Sequence, residues 1–183
     1  GYDKIITSYA PSNEPLGVGI SYEDWSIMIK KLYAELEKRG LPTNFLSGAD
    51  SWSDWIWKPA QYNADQLSAY DFHNYLNDTP DDTYNQLYNR TIETTFANYL
   101  ANVYKYDNSN KPVHVSEIAP IGVPFIDWPV ADAPAHCRID TYEYALGFWD
   151  YGIQLARSGM ASGLAWALDG LEQNKNAGMW NNA

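Results

Sequence analysis

Two glutamates stand out by their surroundings: Glu14 in Ser12-Asn13-Glu14-Pro15, and Glu117 in His114-Val115-Ser116-Glu117-Ile118. Each follows a short apolar run of strand length. Paired carboxyl groups facing one another suit glycoside hydrolysis: one, protonated, assists the leaving oxygen, and the other, ionised, attacks the anomeric carbon. A lone glutamate more often forms an ion pair or caps a helix. Here both glutamates end a strand, where the functional residues of parallel α/β folds gather. In an extended chain Val113, Val115 and Glu117 share one face, so Glu117 closes an apolar row. His73 and Tyr75 also share a face, two residues apart, and can reach one pocket.

The spacing of apolar residues predicts the elements that must position these groups. A helix is expected over Tyr22 to Arg39, with Ser21 as N-cap and Asp24 three residues on. Its stripe is Trp25, Met28, Leu32 and Leu36, and Gly40 and Pro42 end it. A second helix is expected over Thr83 to Tyr104, with Leu87, Tyr88, Ile92, Phe96, Tyr99, Leu100 and Val103 inward. A third is expected over Ala135 to Arg157, with Ile139, Tyr142, Leu146, Trp149 and Ile153 inward, closed by Gly159. Strands are expected over Lys4 to Ala10, Asn44 to Gly48, Leu67 to Tyr75, Val113 to Ile118 and Ser162 to Leu168. Ser51 to Tyr62 has room for a short helix. Strands alternating with helices imply parallel βαβ units and an α/β class.

Composition narrows the field. The chain has 183 residues, of which 45% are hydrophobic, 15% aromatic and only 19% charged, with a net charge of −11. It is too apolar and too aromatic to be disordered. The acidic balance argues against nucleic acid, because phosphate binding relies on clustered Lys and Arg. No apolar run of about 20 residues is present to span a membrane. A single cysteine, Cys137, excludes a disulfide framework and a cysteine-based zinc site.

Asn13-Glu14-Pro15 after one strand, Phe72-His73-Asn74-Tyr75 two strands later, Glu117 after the next and Trp166 on the last together resemble the clan A retaining glycoside hydrolases. That clan includes cellulases, mannanases, xylanases and related β-glycosidases. The resemblance runs over nearly the whole chain. It implies a (β/α)8 TIM barrel, present here over residues 1–183 as one partial barrel of about five parallel strands with flanking helices, where a full barrel takes about 250 residues. The first visible strand then matches the barrel's fourth. By the same resemblance Glu14 is the acid/base and Glu117 the nucleophile of a double displacement. Asn13 meets the sugar 2-hydroxyl, His73 and Tyr75 form the sixth-strand pair with Tyr75 orienting the nucleophile, and Trp166 lies under the sugar. A tyrosine hydroxyl donating to Glu117 favours its ionised form, and a drier site near Glu14 favours the acid. The expected substrate is a neutral β-linked poly- or oligosaccharide. No cofactor and no metal is expected, and the partner is the missing barrel half or a second chain. The expected location is secreted, periplasmic or at the cell surface. The family's early-strand arginine, which supports the nucleophile, has no counterpart.

Other residues carry weaker signals. Trp55 and Trp57, with Trp52 and Tyr62, read either as outer sugar subsites, where rings stack on pyranose faces, or as the packing of a short helix. Trp128 and Trp180 are lesser candidates of the same kind. Asp50 and Asp169, at strand ends, read either as hydroxyl-binding or, more often, as structural, and His114, on the strand face opposite Glu117, reads as packing. His136-Cys137 has no partner at metal spacing. Ser116 lacks a nucleophile elbow, and Gly17-Val18-Gly19 lacks the third glycine of a dinucleotide loop. The competing function is a non-catalytic carbohydrate-binding or scaffold protein on a barrel remnant. Such a protein needs the rings, but not both carboxylates, Asn13 and Tyr75.

Overall fold

A computed structural model describes residues 8–75, 85–119 and 142–165 of the chain. The protein is α/β. Helix α1 (Tyr22–Lys38) precedes β1 (Ser47–Ser51); a 3-10 turn (Ser53–Ile56), the short α2 (Lys58–Tyr62) and a second 3-10 turn (Ala64–Gln66) lead to β2 (Ala69–Tyr75). Helix α3 (Thr91–Tyr106), β3 (Val113–Ala119), α4 (Tyr142–Ser158) and β4 (Ser162–Ala165) follow. The four strands form one parallel sheet in the order β1-β2-β3-β4. Tyr9 adds a parallel bridge to Leu46 beside β1, where the first expected strand enters the described residues.

The chain forms two compact units. The first holds the residues up to His73 together with Asn98–His114, and the second holds Asn74–Ala97 and the residues from Val115 onward. In the first unit, α1 begins at Ser21, whose hydroxyl accepts from the Asp24 amide at 3.1 Å. It ends in a Schellman closure: Leu41 N–H bonds the Leu36 carbonyl, Gly40 N–H bonds that of Glu37, and Gly40 takes the required φ of +65°. The buried face of α1 is Tyr22, Trp25, Ser26 and Ile29, and Met28 points outward. This face keeps Trp25 of the expected stripe, and Trp25 docks on the backbone of β1. A Cβ added at Gly48 would lie 2.5 Å from Trp25 Cζ2, so only glycine permits that approach. Trp55 packs edge-on against Tyr22, with centroids 4.9 Å apart. The Tyr22 hydroxyl donates to Asn63 Oδ1 at 2.9 Å, and burial raises its pKa far above the ordinary phenol range.

Strand β1 lies three residues beyond its expected start. Its sequence, Ser-Gly-Ala-Asp-Ser, has little strand propensity, yet every residue is buried. Parallel pairing to β2 with both faces covered overrides local preference here. At the other side of the unit, Tyr70 donates to Asp107, which also accepts from Lys111 Nζ at 2.8 Å. Burial pushes the Asp107 carboxyl up, but the bonds from Lys111, Ser109 and Tyr70 outweigh it and hold the pKa well below the usual carboxylate range.

In the second unit Tyr151 and Gln154 of α4 are fully buried. The Tyr151 hydroxyl donates to Asn74 Oδ1 at 2.8 Å. Gln154 donates to the Leu87 carbonyl at 2.8 Å and accepts from the Glu93 amide at 3.2 Å, which satisfies an orphan N–H in the first turn of α3. The second expected helix is broken at Asn89-Arg90, where Arg90 takes a φ of +55°, and Tyr88 lies outside the core. The third helix also departs from expectation. Tyr142, Leu146, Trp149 and Ile153 are all more than half exposed. Its packed face is the one carrying Tyr151, Gln154 and Leu155, because the buried tyrosine and glutamine have bonding partners there. Ile139 and residues 135–141 lie outside the described residues, as does the end of the last expected strand. No helix among the described residues is long and apolar enough to cross a membrane.

Replacing Gly48 with alanine should overpack the Trp25 contact and cost about 1–3 kcal/mol. Thermal unfolding should register this as a lowered Tm, and a Tm equal to wild type would refute the contact.

Candidate functional site

The first unit builds its polar centre on a distorted strand. β1 pairs with β2 in register as Ala49 with Asp71 and then Ser51 with Phe72, so Asp50 is an extra residue, a bulge. Bulges in parallel pairs are uncommon and re-aim side chains. Asp50 takes a φ of +56°, in the left-handed region that aspartate tolerates better than most residues. Its N–H donates to Asp71 Oδ1 at 2.7 Å. Its carbonyl accepts from the Glu14 N–H at 2.9 Å.

Glu14 opens a turn closed by the Gly17 N–H on its carbonyl at 2.9 Å, with Pro15 buried at the second position. Glu14 also has a positive φ, +46°. The loop before it is anchored by Trp25, whose indole N–H donates to Ser12 Oγ at 2.9 Å. His73 completes the arrangement. Its Nδ1 lies 2.9 Å from Glu14 Oε1 and its Nε2 lies 2.9 Å from Asp50 Oδ1. The ring is buried and the Glu14 side chain is 37% exposed. With a carboxyl oxygen at each ring nitrogen, the imidazole connects two carboxyl groups.

Asp71 lies under this centre, fully enclosed. Desolvation pushes its carboxyl up to about 7, against the pull of the Ser47 hydroxyl, the Asp50 amide and His73, with the Asp50 charge pushing the same way as burial. Asp71 and His73 are two apart on β2 and so share a face, while Tyr70 and Phe72 bury the other.

The second unit holds the other glutamate. The Tyr75 hydroxyl donates to Glu117 Oε2 at 2.5 Å. Both side chains are half-buried, and Val115, on the same strand face as Glu117, is fully buried. The residue before Tyr75 is fixed from α4 through the Tyr151 bond to Asn74.

Of the residues singled out by sequence, Glu14 and His73 come together in the first unit, and Tyr75 and Glu117 in the second. Asn13 is exposed beside Glu14. Trp55 is core, packed on Tyr22 and Trp25, and is not placed to stack on a ligand. Trp57 is half-buried. His114 is half-buried, and desolvation lowers its pKa. Trp166, Trp128, Trp180, Asp169, His136 and Cys137 lie outside the described residues. Two roles were not legible beforehand. Asp50 turns out to touch His73 and Glu14 through separate groups. Trp52, 38% exposed, is the ring beside the Glu14 turn, since a Cβ on Gly17 would lie 2.9 Å from its Cη2. The sequence signal for Trp52 was the Trp52-Trp55-Trp57 cluster, but only packing tells which ring faces out. The chain matches no protein-family model and no curated protein sequence.

Asp71 makes the site a pH-dependent part of the fold. Its folded pKa is raised, so the stability it supports is fully present below the unfolded carboxylate range, about 3.9, and is lost as pH rises through about 7. The stability of wild type relative to Asp71→Asn, measured by urea unfolding, should therefore fall between about pH 4 and pH 7 and then level off. A difference that stays flat with pH would show that Asp71 is ionised throughout.

Proposed function

We propose that this chain carries the acid/base and the nucleophile of a retaining β-glycoside hydrolase, on part of a TIM-type barrel. The observation that carries the reading is the unlike treatment of Glu14 and Glu117 by one strand. Tyr75 of β2 gives Glu117 a neutral O–H donor, which favours the ionised form a nucleophile needs. His73 of the same strand gives Glu14 a titratable partner, suited to a group that must lose and regain a proton. Two carboxyls driven to different roles by their surroundings are the hallmark of this chemistry.

In the proposed reaction Glu14 protonates the glycosidic oxygen as Glu117 attacks the anomeric carbon from the other side. The C–O bond to the leaving group breaks and a glycosyl ester forms on Glu117. Glu14, now a carboxylate, takes a proton from water, and the hydroxide equivalent releases the sugar with retained configuration. This requires the two carboxyl groups to sit about 5–5.5 Å apart when substrate is bound. Asn13 is exposed beside Glu14, within reach of a sugar hydroxyl. The acidic balance of the chain favours a neutral saccharide over a polyanion.

The competing reading, a carbohydrate-binding protein without chemistry, draws on the exposed rings of Trp52 and Tyr62. The carboxylates separate the two. In the full-length protein, Glu117→Ala should abolish turnover of an aryl β-glycoside. Glu14→Ala should cut turnover of poor leaving groups by about 10²–10⁴ while a dinitrophenyl glycoside still reacts to form the glycosyl-enzyme. Saccharide binding with no hydrolysis by wild type would sustain the binding protein and sink the enzyme.

Trp52 is the proposed platform on the leaving-group side, because it borders the turn that presents Glu14. Trp52→Ala should weaken binding of an oligosaccharide about 3- to 10-fold, with little change for a small aryl glycoside that does not reach it. Isothermal titration with both ligands checks this, and equal affinity of wild type and variant for the oligosaccharide would remove Trp52 from the site.

A further inference from the structure

We propose that Asp50 is the positioning residue for Glu14, holding it by two independent arms; the proposal rests on Glu14 being the acid/base. The first arm is main chain: the Asp50 carbonyl accepts the Glu14 N–H at 2.9 Å and fixes where the turn begins. The second is side chain: Asp50 Oδ1 meets His73 Nε2 at 2.9 Å, and His73 Nδ1 meets Glu14 Oε1 at 2.9 Å. One residue thereby sets both the backbone and the carboxyl plane of Glu14.

Only a bulged residue can do both. Without the extra residue, the Asp50 carbonyl and side chain would follow the strand's alternation and could not serve the loop and β2 together. The bulge is held in turn by Asp71, whose Oδ1 takes the Asp50 N–H at 2.7 Å. The order of support therefore runs from Asp71 to Asp50, from Asp50 to His73, and from both to Glu14.

An ionised carboxylate only accepts, so Asp50 requires Nε2 to carry hydrogen. That choice also fixes the ring, since a flipped imidazole would turn carbon atoms toward both carboxylates. Nδ1 is then left facing Glu14, and the single proton between Nδ1 and Oε1 can rest on either atom without breaking the chain. With Oε1 so engaged, Oε2 is the oxygen that meets the substrate. Glu14, Asp50 and Asp71, all carboxyls, face His73 within its unit.

The test compares leaving groups in the full-length protein. In kcat/KM, which reports steps through formation of the glycosyl-enzyme, Asp50→Asn should slow a phenyl β-glycoside roughly 10- to 100-fold. It should leave a 2,4-dinitrophenyl β-glycoside within about threefold, because that departure needs no proton. A general structural role would slow both alike, and that result overturns the proposal. Nitrogen-15 spectra of wild type supply a readout that does not depend on the variant folding: Nε2 of His73 should carry hydrogen, and a bare Nε2 also overturns it. If Glu14→Ala itself shows no dependence on leaving group, the acid/base reading fails. If Glu14→Ala behaves as an acid/base variant while Asp50→Asn does not discriminate, only the role of Asp50 fails.

Discussion

The buried imidazole of His73, with a carboxylate oxygen 2.9 Å from each of its nitrogens, is the constraint around which the first unit is arranged. A ring with polar atoms at opposite edges can be buried only if both edges are met, since an unmet one costs on the order of 1–3 kcal/mol. Meeting both demands an acceptor from a loop on one side and an acceptor from the neighbouring strand on the other. The loop acceptor needs Glu14 at a positive φ, and the strand acceptor needs Asp50 out of the regular alternation at another. Both conformations are individually unfavourable for residues with a Cβ. They persist because main-chain and side-chain bonds converge on them: Asp71 on the Asp50 amide, the Asp50 carbonyl on the Glu14 amide, and the turn to Gly17.

The cost of this arrangement is concentrated on Asp71. A fully enclosed carboxyl is the least favourable group to place beneath two others, and burial moves its pKa to about 7. An asparagine would offer the same acceptor to the Asp50 amide without the charge. The second unit meets its glutamate differently. Tyr75 meets Glu117 with a hydroxyl donor. One strand thus supplies two kinds of partner, two residues apart.

Much of this was legible in the sequence, for reasons that can be named. Helix α1 was readable because Ser21, Asp24 and Gly40 act locally, through caps that depend on a few neighbouring residues. The pairing of His73 with Tyr75 on one face of β2 follows from the alternation of an extended chain. β1 was misplaced because Ser-Gly-Ala-Asp-Ser becomes a strand only through pairing with β2, a long-range effect that no local window contains. Asp50 was read as a strand-end residue, but its bulge was hidden for the same reason, since a bulge belongs to a pair of strands and not to one. The face of α4 was chosen by apolar spacing, whereas the structure chose it by satisfying Tyr151 and Gln154, whose polar ends find partners only on that side. Trp55 and Trp52, three residues apart, could not be sorted into core and surface without knowing that Tyr22 and Trp25 cover the first.

The high aromatic content takes on a different meaning once the polar atoms of the rings are followed. Rings in an acidic domain suggest sugar stacking, yet most of those in the described core serve another purpose. Trp25 fills the space over Gly48 and sends its indole N–H to Ser12, two residues before Glu14. Tyr151 packs edge-on against Phe96 and sends its hydroxyl to Asn74, the residue between His73 and Tyr75. Tyr70 is buried and sends its hydroxyl to Asp107, at the end of α3. Each such ring contributes apolar burial at one end and a directed hydrogen bond at the other. An aliphatic core could supply only the first, and the loops that carry Asn13, Glu14 and the β2 residues would then be held by main-chain bonds alone. The rings that fix the interior are thus also those that orient the strand ends, which is why a chain with only 19% charged residues can still place its carboxyl groups so closely.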